Sequence, residues 1–135
     1  MLSNAGFQLL KGTLANRDIL RQALTYLRHP AAPAPHGSHA WLGELLTQHH
    51  AHLRDDQRIS TPKIDRMLDA ALEAGALGGK INGSGGGGCM FAYAPARFSE
   101  VAEAIERAGG RAYIVSVDVG TQYAGQTKHS SDCNL

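Results

Sequence analysis

Residues 79–93 read Gly79-Lys80-Ile81-Asn82-Gly83-Ser84-Gly85-Gly86-Gly87-Gly88-Cys89-Met90-Phe91-Ala92-Tyr93. Half of the chain's 16 glycines fall between Gly75 and Gly88. Glycine loses more backbone freedom on folding than any other residue, so this run is either a disordered linker or a loop whose backbone must approach something closely. Linkers are usually flanked by polar residues, whereas Lys80–Asn82 and Cys89–Tyr93 look like strands. Two strands joined by a glycine-rich loop read as a β-hairpin.

Outward from the hairpin, helical spacing dominates. Thr61 suits an N-cap, Pro62 the first helical position, and Asp65 lies near the first turn, where the helix dipole favours it. Ile64, Met67, Leu68, Ala71 and Leu72 form an apolar stripe, and Gly75 suits the C-terminal cap. Leu20, Ala23, Leu24 and Leu27 place a helix over about 16–28. Leu42, Leu45, Leu46, His49 and Leu53 place another over about 39–53. Between them, Pro30 to Ser38 reads as a surface loop. After the hairpin, Phe98, Val101, Ala102, Ile105 and Ala108 mark a fourth helix ended by Gly109-Gly110. Ala112 to Val119 is rich in β-branched residues and reads as the clearest strand. The predicted order is α-α-α-β-β-α-β. Helices on one face of a small antiparallel sheet make an α+β sandwich close to a ferredoxin-like arrangement. Residues 1–15 are an arm with a candidate fourth strand near Phe7–Leu10. Residues 16–119 form the domain, and 120–135 a polar tail expected to fray.

Composition excludes several classes. A length of 135 residues, 43% hydrophobic and 19% charged, suits one soluble globular domain. A formal net charge of +1 gives no electrostatic case for nucleic acid or an anionic membrane. No apolar run is long enough to span a bilayer, and Met1 to Lys11 lacks the order of a signal peptide. Cys89 and Cys133 make no disulfide framework, so a reducing cytoplasm is the expected location.

Gly83 to Gly88 matches G-x-G-x-x-G literally, but a dinucleotide site needs a helix after the loop and a strand follows here. A Walker loop needs Gly-Lys-Ser/Thr, and this run ends in Gly88-Cys89. Two readings remain. Successive free N–H groups can form an anion-binding nest, with Ser84 and Lys80 as further donors. Alternatively, the glycines let this backbone pack against a neighbouring domain.

Gly79-Lys80-Ile81-Asn82-Gly83-Ser84-Gly85-Gly86-Gly87-Gly88-Cys89 resembles the third conserved motif of the GHMP kinases, with Ser84 where alanine is usual. His50-Ala51-His52-Leu53-Arg54-Asp55-Asp56-Gln57-Arg58-Ile59-Ser60 is similar to a galactokinase segment, matching at His50, Leu53, Arg54, Asp55 and Ser60. His52 and Gln57 depart from it. Ala74–Lys80 also resembles heptose-phosphate kinases of the same superfamily. The likeness covers about 16–119, the C-terminal domain of such enzymes.

The resemblance implies an ATP-dependent sugar kinase, galactokinase-like, using Mg²⁺ and transferring phosphate to a sugar hydroxyl. Gly83, Ser84, Gly85, Gly86, Gly87 and Gly88 would then lie near the ATP phosphates. It also implies an N-terminal GHMP kinase domain as partner, supplying the main phosphate loop, the magnesium ligands and the base. Phosphoryl transfer depends on positioning and electrostatics around Mg·ATP, so the chain alone is expected to be inactive, a fragment with no catalytic residue of its own. The competing expectation is a non-catalytic ligand-binding, regulatory or dimerisation module of ferredoxin-like fold. An apolar face left uncovered would favour self-association.

The remaining polar residues carry plainer expectations. His49, His50 and His52 lack the partners of a zinc site and read as a solvated or interfacial helix end, and no metal ligand is assigned. Asp55 and Asp56 read as surface ion-pairing groups beside Arg54 and Arg58. Cys89 reads as a small buried hydrophobe, and Trp41 as a core or interface anchor.

Overall fold

The computed structural model describes residues 3–28 and 38–118. The expected loop over 30–37, the tail over 120–135 and Cys133 lie outside the described residues. The elements are α1 (Asn4–Arg28), α2 (Ser38–Asp55), α3 (Pro62–Glu73), β1 (Gly78–Asn82), β2 (Cys89–Tyr93) and α4 (Phe98–Arg107). This is an α+β fold in which helices pack on a small antiparallel sheet.

The hairpin forms as its sequence predicts. β1 and β2 pair antiparallel, with Lys80 opposite Phe91 and Asn82 opposite Cys89. α3 starts where Thr61 accepts a hydrogen bond from the Ile64 N–H at 3.4 Å. Its C-cap is Ala74, one residue before the predicted Gly75. Gly75 follows at φ +107°, with Gly75 N–H donating to Leu72 and Ala76 N–H to Ala71. That pair of bonds is a Schellman motif. α4 ends the same way, with Gly109 N–H on Glu106 and Gly110 N–H on Ile105.

The core sits where α3 crosses the sheet. Leu53, Ile64, Met67, Leu68 and Ile81 form one buried cluster, and Ala71, Ala76 and Val101 a second. Ile64 and Ile81 are each 1% exposed, and burying a side chain of that size contributes about 1.5–3 kcal/mol. Leu72, expected in the α3 stripe, is instead exposed, as is Phe98, expected on the apolar face of α4. α2 lies against β1, and α1 packs on α2. Trp41 anchors that second contact by meeting Tyr26 edge-on, with ring centroids 5.4 Å apart.

Two expectations are corrected. The candidate strand at Phe7–Leu10 is instead the start of α1, which runs unbroken from Asn4. Ser3 starts it: its hydroxyl accepts the Gly6 N–H at 3.1 Å and its carbonyl accepts the Phe7 N–H. Gln8 then donates to Asp56 at 2.5 Å, tying the first turns to the end of α2. The strand expected over Ala112–Val119 does not form within the described residues, since 111–118 has no regular structure. A strand needs a hydrogen-bonded neighbour, and among the described residues this segment lines a cleft together with β2 residues without pairing with β2.

Candidate functional site

The loop Gly83–Gly88 turns through four positive-φ glycines, Gly83, Gly85, Gly86 and Gly87. It rests on the chain entering α3. Gly86 donates its N–H to the Ile59 carbonyl at 2.9 Å. A Cβ at Gly85 would stand 2.6 Å from that same oxygen, so glycine is required there by space as well as by conformation. Gly87 lies over Thr61, the α3 cap. Around Gly83, Gly86 and Gly88 there is open space, and the loop residues are exposed apart from half-buried Gly85.

An exposed turn of glycines beside a helix N-terminus favours negative charge. The α3 terminus carries about half a unit of positive partial charge. Apart from the Gly86 bond, the loop's N–H groups have no internal backbone partner outside the hairpin ladder, among the described residues. Lys63, in the first turn of α3, lines the same cleft as Gly87 and Gly88 and forms no ion pair among the described residues. Ile59, Thr61 and Lys63 thus belong to the site. Thr61 was legible only as a helix cap, and nothing in the sequence marked its contact with a loop far along the chain.

Lys80 takes another direction. Its ammonium donates to its neighbour's carbonyl, that of Ile81, at 2.7 Å and lies 5.4 Å from the Phe91 ring centroid. Burial lowers its pKa.

The segment 50–65 is structural. His50 is buried, and its Nδ1 accepts the Ile81 N–H at 3.2 Å. That bond places the ring proton on Nε2, which donates to Asp65 Oδ1 at 3.3 Å. Ser60 donates to the same oxygen at 2.6 Å. The network joins α2, β1 and the start of α3 directly below the loop.

The two aspartates do not work as a pair. Asp55 is held by Arg54 through bonds of 2.8 and 3.0 Å, which lower its pKa. Asp56 turns to His52 at 2.6 Å and to Gln8, not to arginine, and the His52 bond is the main cause of its lowered pKa. No group of three His, Cys, Asp or Glu residues is placed to hold a metal among the described residues. Cys89 is exposed, not buried as expected: β2 has β1 on one edge only, and the cleft opens beside it. Among the described residues no helix is long and apolar enough to cross a membrane.

Residues 23–112 match the GHMP kinases C terminal family. The chain is 50% identical over 76 residues to the mevalonate kinase of Thermococcus gammatolerans, covering 56% of this chain and 22% of that protein. It is 49% identical over 76 residues to the mevalonate kinase of Pyrococcus furiosus, with the same shares. It is 40% identical over 83 residues to the galactokinase of Mycobacterium tuberculosis, covering 61% of this chain and 23% of that protein. The chain therefore matches less than a quarter of the length of these relatives.

Proposed function

This chain belongs to the GHMP kinase C-terminal family, and on that premise we propose that it is the C-terminal part of an ATP-dependent small-molecule kinase, with Gly83–Gly88 facing the nucleotide phosphates. The observation that carries the reading is the exposed glycine turn seated on the α3 N-terminus. Gly83, Ser84, Gly87 and Gly88 offer N–H groups to phosphate oxygens, and the Ser84 hydroxyl adds a donor. Gly85 and Gly86 hold the turn to Ile59. No side chain of the loop performs acid–base chemistry. ATP supplies the phosphoryl group, and Mg²⁺ would be held by residues of the partnering N-terminal kinase domain, together with the base.

The acceptor is an alcohol. The 50% identity to mevalonate kinases over the 76 matched residues favours a mevalonate-type acceptor. A sugar acceptor of the galactokinase type is the second reading, favoured by the match at His50, Leu53, Arg54, Asp55 and Ser60. The structure gives His50, Leu53 and Ser60 packing or hydrogen-bonding roles and leaves Arg54 and Asp55 in an exposed ion pair, so they weigh less than the overall identity.

A chimaera tests both readings. Residues 23–112 would replace the matching stretch of the Thermococcus gammatolerans mevalonate kinase, and ATP-dependent phosphorylation of mevalonate and galactose would be measured. ATP-dependent turnover of mevalonate supports the kinase reading, and a gain of galactose turnover over the unaltered host favours the sugar acceptor. A chimaera that folds, binds no ATP and phosphorylates neither acceptor refutes it.

A further inference from the structure

Apart from Ser84, the loop Gly83–Gly88 has no side chain with which to shape itself. Glycine samples left- and right-handed backbone about equally. Whatever keeps the loop's N–H groups in one arrangement must come from the elements beneath it. Gly86 donates to the Ile59 carbonyl, Gly85 packs on that same carbonyl, and Gly87 rests on Thr61. β1 leads the chain into the loop through Ile81 and Asn82.

The seat at Ile59 is itself constrained. The chain enters it through Arg58 at φ +55°, the only non-glycine residue with positive φ among the described residues. That conformation is uncommon for a residue with a side chain and persists where the surroundings over-determine it. The Ile59 N–H is fixed on the Leu53 carbonyl at 3.1 Å, and the Ile59 carbonyl is the one that Gly86 uses.

One hydrogen-bond network reaches both feet of the loop. On the β1 side, His50 Nδ1 accepts the Ile81 N–H, and His50 Nε2 donates to Asp65 Oδ1. On the other side, Ser60 stands between Ile59 and Thr61 in the chain and donates to that same Asp65 oxygen at 2.6 Å. Asp65 belongs to the first turn of α3, where its N–H bonds the Thr61 carbonyl at 3.0 Å. A single carboxylate oxygen therefore ties the strand that enters the loop to the segment on which the loop sits. A satisfied network in a low-dielectric setting specifies one arrangement more narrowly than apolar contact does.

We propose that His50, Asp65 and Ser60 are positioning residues for the nucleotide. They set the glycine loop in the shape that faces the phosphates and touch no substrate themselves. This rests on the reading of the loop as phosphate-facing. Phosphoryl transfer is catalysed almost entirely by positioning and electrostatics, and a misplacement of about 1 Å can cost on the order of a hundredfold in rate. A network that served folding alone would set the stability of the domain and leave ATP affinity unchanged.

Two measurements separate this proposal from the reading beneath it. In the full 135-residue chain, amide exchange of Gly86 reports the seat with no nucleotide present. Ser60→Ala removes one donor to Asp65 and leaves the Thr61 cap in place, so Gly86 should exchange about tenfold faster, the effect of losing one hydrogen bond. Ser60→Thr keeps the hydroxyl and should exchange at the parent rate. Ala104→Gly lowers stability through helix propensity on α4 and should also leave Gly86 at the parent rate, because an exposed loop exchanges by local opening. In the mevalonate kinase chimaera, Ser60→Ala should raise the KM for ATP about tenfold by the same loss. The KM for mevalonate should stay near the parent value, and Ala104→Gly should move neither. Parent-like Gly86 exchange in Ser60→Ala overturns the proposal whatever the nucleotide does. So does faster exchange with an unchanged KM for ATP, or a rise in that KM that Ala104→Gly reproduces. A parent chimaera that folds and binds no ATP overturns the phosphate-facing reading and this proposal with it, and the exchange result tells that failure apart from a network that does not hold the loop.

Discussion

The two edges of the hairpin both have apolar neighbours and end in opposite states. Along β1, α2 closes down until Gly43 and Gly78 meet backbone to backbone, and His50 satisfies the Ile81 N–H. Along β2, the edge is free among the described residues, and an apolar segment stands across a cleft from it. Hydrophobicity does not separate them, since both edges have apolar neighbours. Backbone satisfaction does: a buried N–H without a partner costs about 1–3 kcal/mol, and only the β1 side supplies partners from within the described chain. The sealed side holds the domain together. The open side, beside the glycine loop, has no strand neighbour among the described residues.

The largest effect should come from breaking the seal at its tightest point. In Gly78→Ala the new methyl would run into the Gly43 carbonyl, which is α2 backbone and cannot rotate away. Overpacking of this kind costs about 3 kcal/mol, a large share of the roughly 5–15 kcal/mol that holds an ordinary domain together. Thermal unfolding should show a midpoint lower by roughly 10 °C. An unchanged midpoint would mean that α2 rides further from β1 than the structure has it.

His50→Ala should come next. It leaves the Ile81 N–H and the Asp65 carboxylate short of partners in a buried setting, at a cost of about 2–3 kcal/mol in urea unfolding. His50→Gln can restore one of the two bonds and should recover about 1 kcal/mol of that loss. If both variants unfold alike, the side chain matters for volume and not for its hydrogen bonds.

How much of this was legible in the sequence depends on the range of the interactions involved. Thr61-Pro62, the stripe from Ile64 to Ala71 and the glycines at 75 and 109 are local signals, and they fixed α3 and the ends of α3 and α4. The hairpin was legible from its glycines for the same reason. Phe7–Leu10 was misread because four apolar-rich residues fit strand and helix equally, and the helix is set by Ser3 upstream and by the Gln8–Asp56 bond from far along the chain. Residues 112–118 have strand chemistry, but a strand also needs a neighbour, and no local pattern reports whether one is present. The glycine loop was recognisable as a candidate site. Its seat on Ile59 and Thr61 was not, because that contact exists only after α3 and the hairpin have packed.

A smaller effect, confined to acid, should come from His49 on the sealed side. It lines a cavity of about 230 Å³ with Ile19, Leu20, Leu45 and Lys80, and its Nδ1 is buried without a partner among the described residues. Burial first, then the nearby Lys80 charge, lowers its pKa from 6.5 to about 4. The folded form therefore holds His49 neutral while the unfolded chain can protonate it. Stability from this group is fully present above pH 6.5, falls between 6.5 and about 4, and changes no further below that. Asp55 and Asp56 act in a lower window, because their stabilising charges are lost only as pH falls below the ordinary 3.8. Urea midpoints taken at intervals from pH 7.5 to 4 should fall in wild type and stay flatter in His49→Leu. Equal slopes would show that the ring is hydrated.

The smallest effect on stability should be the most informative about the open side. Gly88 lacks the positive φ of its neighbours, and a Cβ there would meet nothing within 4 Å. Gly88→Leu should therefore fold normally, within about 0.5 kcal/mol of wild type. Gly86→Val is a poorer probe, since φ +72° strains any branched residue whether or not a ligand is present. If the loop cradles phosphate, the leucine occupies the space the phosphate needs. The mevalonate kinase chimaera carrying Gly88→Leu should then show a KM for ATP raised at least about tenfold, equivalent to about 1.4 kcal/mol. Its KM for the acceptor should change less, because the added bulk lies at the loop proposed to face the nucleotide. A chimaera with normal KM for ATP would leave the glycines only their packing role against Ile59 and Thr61.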